Sequence, residues 1–598
     1  MITPILTRPR LASEADLTSA HTLLGCLIRE VSAPDGQMWV DGGHLLLRLP
    51  HIGSLLRARL LRVSTVAAHR FAGAIQHQDA ASGSWEDIDL QELAALVTAE
   101  LTARTGEDNE EFAAQVLASR DSLADILDAR PDVPARTITE PFAAFIDSEQ
   151  SLIAGHPRHP APKWRSGDAG KWRQYSPETR TAFPLHWLAV PENLVFEQSV
   201  GGGFDEHAST NRLLAKAAPD VPAGHKALPV HPWQHRLLST DKGLGPVLSA
   251  AVADGTILDL GQTGLPFHPT ASVRTLYQPE TDVFLKTSLN VRITNCLRKN
   301  SVYELSGAVE LTRLLREPLA EVAIMHPNFT LLEEPAARSA QLPESYGTPE
   351  QRLALLEGLG TIVRTGIAGW ALPGQTVHLA ASLTAAPDPA GTRTRLSDLA
   401  DPADPRAWAR QWWKRYVQLM VPPLLRLWAE HGVVLEPHLQ NVLAVLGPDG
   451  MPLQILARDL EGTKLVGSRH TDVLAALPPE ISGAVAYDEE QGWNRIAYCL
   501  FVNHLAEMAG ALADLAPEPP GFENELWDIL GGTVAETSTA LGNPPRLRAL
   551  LAGVPLPAKT NMLIRWQRRA DKLAGYVAFP NPFGGALTEE QRRPSQKN

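Results

Sequence analysis

The sequence predicts an α+β fold divided among several domains, and three observations carry that expectation. Apolar residues recur at three- and four-residue spacing up to about residue 150. Short strand-like runs between turn residues fill the middle, and a tryptophan-rich helical pattern returns after about residue 400 with one clear hairpin inside it. A chain of 598 residues also exceeds what a single hydrophobic core supports.

Taken in order, AHTLLGCLIREV and LQELAALVTAELTAR predict scaffold helices between Leu11 and Gln150. The Pro- and His-rich segment GHPRHPAPKWRSG (155–167) precedes a β-rich region containing HWLAVP, ALPVHPW and VFLKTSLNVRI. Proline clusters at 385–389 and 401–405 mark a boundary, beyond which WARQWWKRYVQLMV opens a mainly helical part. There are no repeats or low-complexity tracts.

Composition excludes several classes of function. With 44% hydrophobic and 20% charged residues the chain is ordinary and globular, and its net charge of −13 argues against nucleic acid or an anionic membrane as the main partner. Cys26, Cys296 and Cys499 are too few and too scattered for a disulfide framework or a zinc or iron–sulfur centre, which predicts a reduced, cytoplasmic setting. The opening residues lack a signal-peptide core, and no run approaching the ~20 apolar residues of a membrane span is expected.

Two hairpins carry most of the chemistry. In LEPHLQNVLAVLGPDGMPLQILARDLEG the GPDG turn separates two apolar strands, and pairing Gly447 with Gly450 sets His438 opposite Asp459 and Asn441 opposite Leu456. His438, Gln440, Asn441 and Asp459 then converge at the open end, with Glu436 just before it. Such oxygen donors suit Mg²⁺ with substrate phosphates; a surface hairpin with its polar residues in water fits the same pattern. In TASVRTLYQPETDVFLKTSLNVRITNCLRKN, a turn centred on Glu280 sets Arg274 opposite Lys286, with Ser272 on the same face and Thr275 on the other. Facing like charges are unfavourable, so an anion between them is expected. Thr294 and Arg298 share a face if a helix begins there, and an arginine there suits a carboxylate. A solvated basic face of Arg292, Arg298 and Lys299 is the alternative.

The two histidine–proline segments lack the spacing of a helical zinc motif and read as extended or turning. Lys163 beside His159 favours contact with an acid substrate, whereas His231 reads as support for the fold. Glycine-rich phosphate loops are missing, since VGGGF (200–204) is too short to count.

GHPRHPAPK, LPVHPWQ, SVRTLY, KTSLNVRITN and EPHLQN followed by ARD, in this order and closed by AKTNMLIRW…FPNPF, resemble the nonribosomal-peptide-synthetase-independent siderophore synthetases, the IucA/IucC family. The resemblance implies a cupped hand of thumb (1–195), fingers (196–395) and palm (396–598), and a cytoplasmic homodimer. It implies an ATP- and Mg²⁺-dependent ligase that adenylates citrate and joins it to an amine or alcohol, releasing AMP and pyrophosphate. By the same resemblance Ser272, Arg274, Thr275, Lys286, His438, Asn441 and Asp459 surround ATP, with Asp459, Asn441 and Glu436 at the metal and Lys286, Arg274 and His438 catalytic. His159, Lys163, Thr294, Arg298 and Gln440 border the substrate carboxylate. The unbroken KTSLNVRITNCLRKN block looks more like citrate-using relatives than like those acting on succinyl or amidated substrates. Rival readings are a small-molecule kinase, which also places such residues around a hairpin, a non-enzymatic siderophore-binding protein and a ferric reductase; the cysteine count weighs against the last.

Overall fold

A computed structural model describes residues 13–585 apart from 80–81, 131–141, 166–171, 201–209, 216, 294–295, 387–392 and 571–572. The N-terminal part contains the expected helices, Glu14–Leu27 and Leu90–Thr105, the second opened by an Asp89/Glu92 capping box. It also contains a five-stranded antiparallel sheet in sequential order between Met38 and Ile88, which helical periodicity did not foretell. Leu45, Leu47 and Leu49 alternate inward there to meet Leu23, Leu27, Leu93 and Val97 of the helices.

The middle of the chain forms an eight-stranded sheet. Its strands run, edge to edge, Val195–Ser199, Ala336–Ala340, Thr361–Thr365, Val283–Thr287, Thr275–Gln278, Leu258–Pro269, Phe183–Pro191 and His225–Val230. Strands on both sides of residue 195 therefore share one sheet. The expected boundary near 395 is crossed as well, because Phe329–Leu331 and Thr376–Leu379 join Val442–Leu446 and Pro452–Ala457 in a four-stranded sheet. That sheet rests on the helix Pro405–His431, whose Trp412, Trp413 and Tyr416 are wholly buried. One helical run, Glu489–Ala513, is long and apolar enough to cross a membrane, contrary to expectation, but 89% of its apolar window is buried within the protein, so it is a core helix.

The last described segment folds back onto the first. Glu30 is buried, and its carboxylate accepts from the backbone N–H groups of Asn561, Met562 and Leu563. These are the free donors of the short helix Met562–Trp566, so a side chain from one end of the chain caps a helix near the other. Met562 and Trp566 pack into the N-terminal core.

Candidate active site

The two expected hairpins form, each in a shifted register. In the first, Gln278 pairs with Val283 and Thr275 with Lys286, so Thr275, not Arg274, lies opposite Lys286. The loop is 279–282 because Asp282, at φ 50, is fixed by Tyr277 Oη at 2.7 Å and by the N–H groups of Ile367 and Ala368. Arg274 precedes the strand in a tight turn, where Val273 takes φ 67, an outlying value for a β-branched residue. Ser272 Oγ accepts from Thr275 N in that turn.

The second hairpin is displaced by two residues: Leu443, not Asn441, faces Leu456. One residue of the shift comes from the turn. Gly450 N donates to Gly447 O, but Gly450 has φ 73, and Gly447 N reaches past it to Met451 O. The other comes from a bulge between Val445 and Leu446 and their partners. His438 and Asn441 therefore do not sit in the ladder at all. His438 caps and Asn441 closes a 3₁₀ turn, Leu439–Asn441, with His438 Nδ1 accepting from Gln440 N. The turn is held from behind by a π-helical stretch, Tyr498–Leu505, through Asn503 Oδ1 to Leu439 N and His504 Nδ1 to Pro437 O. Single π turns inside helices often mark functional positions.

Despite the shifts, the charges meet. Lys286 Nζ lies 2.6 Å from Asp459 Oδ1 and 2.9 Å from Glu461 Oε2, and Arg274 Nη2 lies 2.7 Å from the same Glu461 oxygen. The anion expected between Arg274 and Lys286 is thus the carboxylate of Glu461. Arg364, fixed by buried Glu334, stands 3.5 Å from Asp459. Asn300 ties the cluster together, accepting from Arg274 Nη1 at 2.7 Å and donating to Lys286 O at 2.9 Å. Asp459 itself adopts φ 79, ψ 93, which costs on the order of 1–3 kcal/mol and persists where surrounding contacts impose it.

Electrostatics follow from this arrangement. Burial disfavours the Lys286 ammonium, but Asp459, Glu461 and Glu334 outweigh it and raise its pKa. Burial likewise opposes ionisation of Asp459 and Glu461, and the adjoining Lys286, with Arg364 or Arg274, overrides it and lowers both. Burial lowers the pKa of His438, keeping its imidazole neutral, and Glu436 Oε2 lies 4.0 Å from its Nε2. Glu436 is paired with Arg495, and Asn441 Nδ2 donates to its backbone O at 3.3 Å. Leu331, Leu435, Pro437, Asn441 and Thr463 line a narrow gap beside Asp459.

The residues expected around a carboxylate substrate have separate fates. Arg298 lies in the strand Cys296–Arg298, paired with Leu289–Ile293, so a hairpin stands where a helix was expected. Its backbone O accepts from Arg274 Nη1, and its buried Nε has no hydrogen-bond partner among the described residues. Thr294 lies outside the described residues. Gln440 accepts from Arg458 through its backbone O. His159 is buried, with Nδ1 accepting from Ala161 N. Lys163 is the main departure. Its Nζ is held by Glu178 at 2.5 Å and by Leu152 O at 2.7 Å, with Arg165 on the same carboxylate, so its charge is satisfied internally. His156 reaches the cleft side instead, 3.2 Å from Asn503 Nδ2. His231 supports the fold as expected, accepting from Trp233 N at the start of the helix Pro232–Thr240. Sequence reasoning missed Glu461, Asn300 and Lys559, the last close enough to act electrostatically on Glu436, His438 and His156. Each lies in or beside a quoted motif: Glu461 two residues beyond the aspartate of ARD, Asn300 at the end of LRKN and Lys559 in AKTN.

The IucA / IucC family model matches residues 144–385, and the model described as ferric iron reductase FhuF-like transporter matches residues 410–574. The chain is 31% identical to the rhizobactin siderophore biosynthesis protein RhbC of Rhizobium meliloti, over 96% of its own length and 98% of the relative's. It is 33% identical to an L-2,3-diaminopropanoate–citrate ligase of Staphylococcus aureus, over 64% of this chain and 65% of that one. Among solved structures, ATP-bound aerobactin synthetase IucA from Klebsiella pneumoniae superposes with a TM-score of 0.80 at 24% identity, covering 95% of this chain and 99% of that one.

Proposed function

The chain belongs to the IucA/IucC family, and from that premise we propose that it is an ATP-dependent, AMP-forming ligase joining citrate to an amine in siderophore assembly. The observation that carries this reading is the pairing of buried cations, Lys286 and Arg274, with the partly exposed carboxylates Asp459 and Glu461. A triphosphate entering the cleft gives the cations new partners and frees the carboxylates. Asp459, Asn441 and the flanking Glu436 and Glu461 offer only carboxylate and amide oxygens, the donors Mg²⁺ prefers, so this set fits that ion. Bound there, Mg²⁺ supplies charge neutralisation at the phosphates.

The acid's carboxylate oxygen forms a bond to the α-phosphorus as pyrophosphate leaves, and Lys286 and Arg274 stabilise the charge that builds on the phosphoryl oxygens. The amine then attacks the acyl carbon, and AMP departs with the acyl–oxygen electron pair. His438 Nε2, neutral, is suited to accept the amine's proton. Ser272 and Thr275 border the nucleotide in the turn before the strand. Arg298 supports an acid subsite continuous with the phosphate clamp, because its carbonyl already holds Arg274. Lys559 adds positive potential beside Glu436 and His438, which favours a tricarboxylate over acids of lower charge. Citrate and an amine also appear in the name of the staphylococcal relative.

Ferric reduction is not adopted despite the FhuF-like match: three cysteines cannot supply a four-thiolate cluster. The test is product analysis with ATP, citrate and a panel of diamines, polyamines, amino acids and amino alcohols. AMP and pyrophosphate are expected. ADP would mark a kinase, and faster AMP formation with succinate or 2-oxoglutarate would overturn citrate but leave adenylation standing.

A further inference from the structure

Outside the nucleotide cleft, three side chains from three elements converge on the eight-stranded sheet. In the strand Phe183–Pro191, His186, Leu188 and Val190 share one face by alternation. Leu188 and Val190 pack with Leu238 of the helix Pro232–Thr240, so that face lies under the helix. His235 precedes Leu238 by three residues and therefore looks toward the same face. The third contributor is placed by a bulge. Trp187 pairs with Gly261 but Leu188 pairs with Asp259, leaving Leu260 as the extra residue, with Gly261 at φ 75. Opposite Leu188, Asp259 points to the side of His186, and Gly261 N fixes its Oδ1 at 2.8 Å.

The result is His186 Nε2 at 2.7 Å from Asp259 Oδ1 and His235 Nε2 at 3.8 Å from Asp259 Oδ2, with all three donor atoms within 4.8 Å of one another. The imidazoles lie nearly parallel, 3.4 Å apart. A hydrogen bond accounts for His186 and the aspartate. It does not account for His235, whose nitrogen faces the same carboxylate from beyond hydrogen-bond distance.

We propose that His186, His235 and Asp259 form a binding site for a divalent transition-metal ion of the zinc type, clamping the helix Pro232–Thr240 to the sheet. Two imidazoles and one carboxylate are a donor set that Zn²⁺ takes, with water in the fourth position. Donors about 2.0–2.1 Å from a tetrahedral ion stand roughly 3.3 Å apart, between the two histidine–aspartate separations seen here, and the stacked rings rotate out of parallel to aim both nitrogens at one ion. Side-chain exposures of 13%, 18% and 32% leave the ion a path from solvent and a face for that water. Mg²⁺, which favours oxygen donors and octahedral geometry, does not fit this set. The site is thus chemically distinct from the cleft around Asp459.

The test uses the full chain stripped by a chelator and titrated with Zn²⁺ against a chromophoric competitor, with Mg²⁺ in excess. One tight equivalent is expected, together with a rise in the thermal midpoint that Mg²⁺ alone does not give. His235→Ala and Asp259→Asn should each weaken that equivalent roughly 10²-fold or more and remove the thermal shift, with nucleotide binding retained. Loading with Co²⁺ should give tetrahedral ligand-field absorption that H186Q loses. With 19 histidines in the chain, loose surface binding is the competing explanation. Equal Zn²⁺ affinity in the wild type and the H235A and D259N variants, or no tight equivalent at all, overturns the proposal. His235 is on the outer layer, so its variant keeps the test decisive even if replacing His186 impairs folding.

Discussion

Lys286 and Lys163 both bury an ammonium group against carboxylates, but those carboxylates differ in where else they can turn. The partners of Lys286, Asp459 and Glu461, are 29% and 39% exposed and face a cleft. The partner of Lys163, Glu178, is 6% exposed and is already shared with Arg165 and Ser176. A buried cation is available to a ligand when its counter-charges can be handed to something else. By that criterion Lys286 is the better candidate for binding a ligand and Lys163 for holding the fold, although both stand in equally suggestive motifs.

The comparison breaks most visibly in activity. Lys286→Ala should lower AMP formation by ~10²–10³ or more with the far-UV spectrum and unfolding midpoint nearly unchanged, since solvent reaches the carboxylates left behind. Asp459→Ala should lower AMP formation as far, at some cost in midpoint because it leaves buried Lys286 with Glu461 alone. Near-normal AMP production in either variant would mean that the nucleotide lies elsewhere.

Lys163→Met should have the opposite profile. Removing Lys163 leaves the buried Glu178 carboxylate with Arg165 and Ser176 alone and costs up to about 3 kcal/mol in urea unfolding, while the KM for ATP stays put. A stable Lys163→Met enzyme with a raised KM for citrate would return Lys163 to the acid subsite and erase the distinction.

A smaller effect separates the acid subsite from the phosphate clamp. Arg298→Ala should raise the KM for citrate roughly 10–100-fold, the equivalent of ~1.5–3 kcal/mol for a charged hydrogen bond, with little change in the KM for ATP. Equal rises in both would show that Arg298 acts only by supporting Arg274.

The smallest effect is on the pH dependence of stability. His231 and His504 are fully buried, and burial pushes both imidazoles down to about 3. Between that value and the ordinary histidine value the unfolded chain binds protons that the folded chain refuses, so stability rises with pH across this window and is lost on acidification. His231→Asn should flatten the acid limb of a urea-midpoint profile. An unchanged slope would show that other groups dominate it.

How much of this was legible depended on the kind of information involved. Side-chain chemistry was legible: Arg274, Lys286, Asn441 and Asp459 reach one cleft, and the strands holding HWLAVP, ALPV and VFLKT form where their β-branched and aromatic residues predict. Register was not, because a bulge or a glycine at positive φ moves a ladder by a residue without leaving a strong local signal. Gly450 and Asp282 each did so. The sheet between Met38 and Ile88 escaped notice because its leucines come in consecutive runs, HLLLRL and SLLRARLLR, that give no clear two-residue alternation. Asn300 and Lys559 stand inside quoted motifs, but they act across long stretches of sequence, and nothing near them announces which partners they meet.

The carboxylate of Glu30 has a consequence for biogenesis. Its backbone partner Met562 lies 532 residues downstream, so the N-terminal core remains incomplete until Met562 has left the ribosome. Until then Glu30 has no donors to satisfy it and the seats of Met562 and Trp566 are open apolar surface. The N-terminal core therefore closes only when this late segment arrives, and a chain that stops before Met562 leaves that apolar surface uncovered.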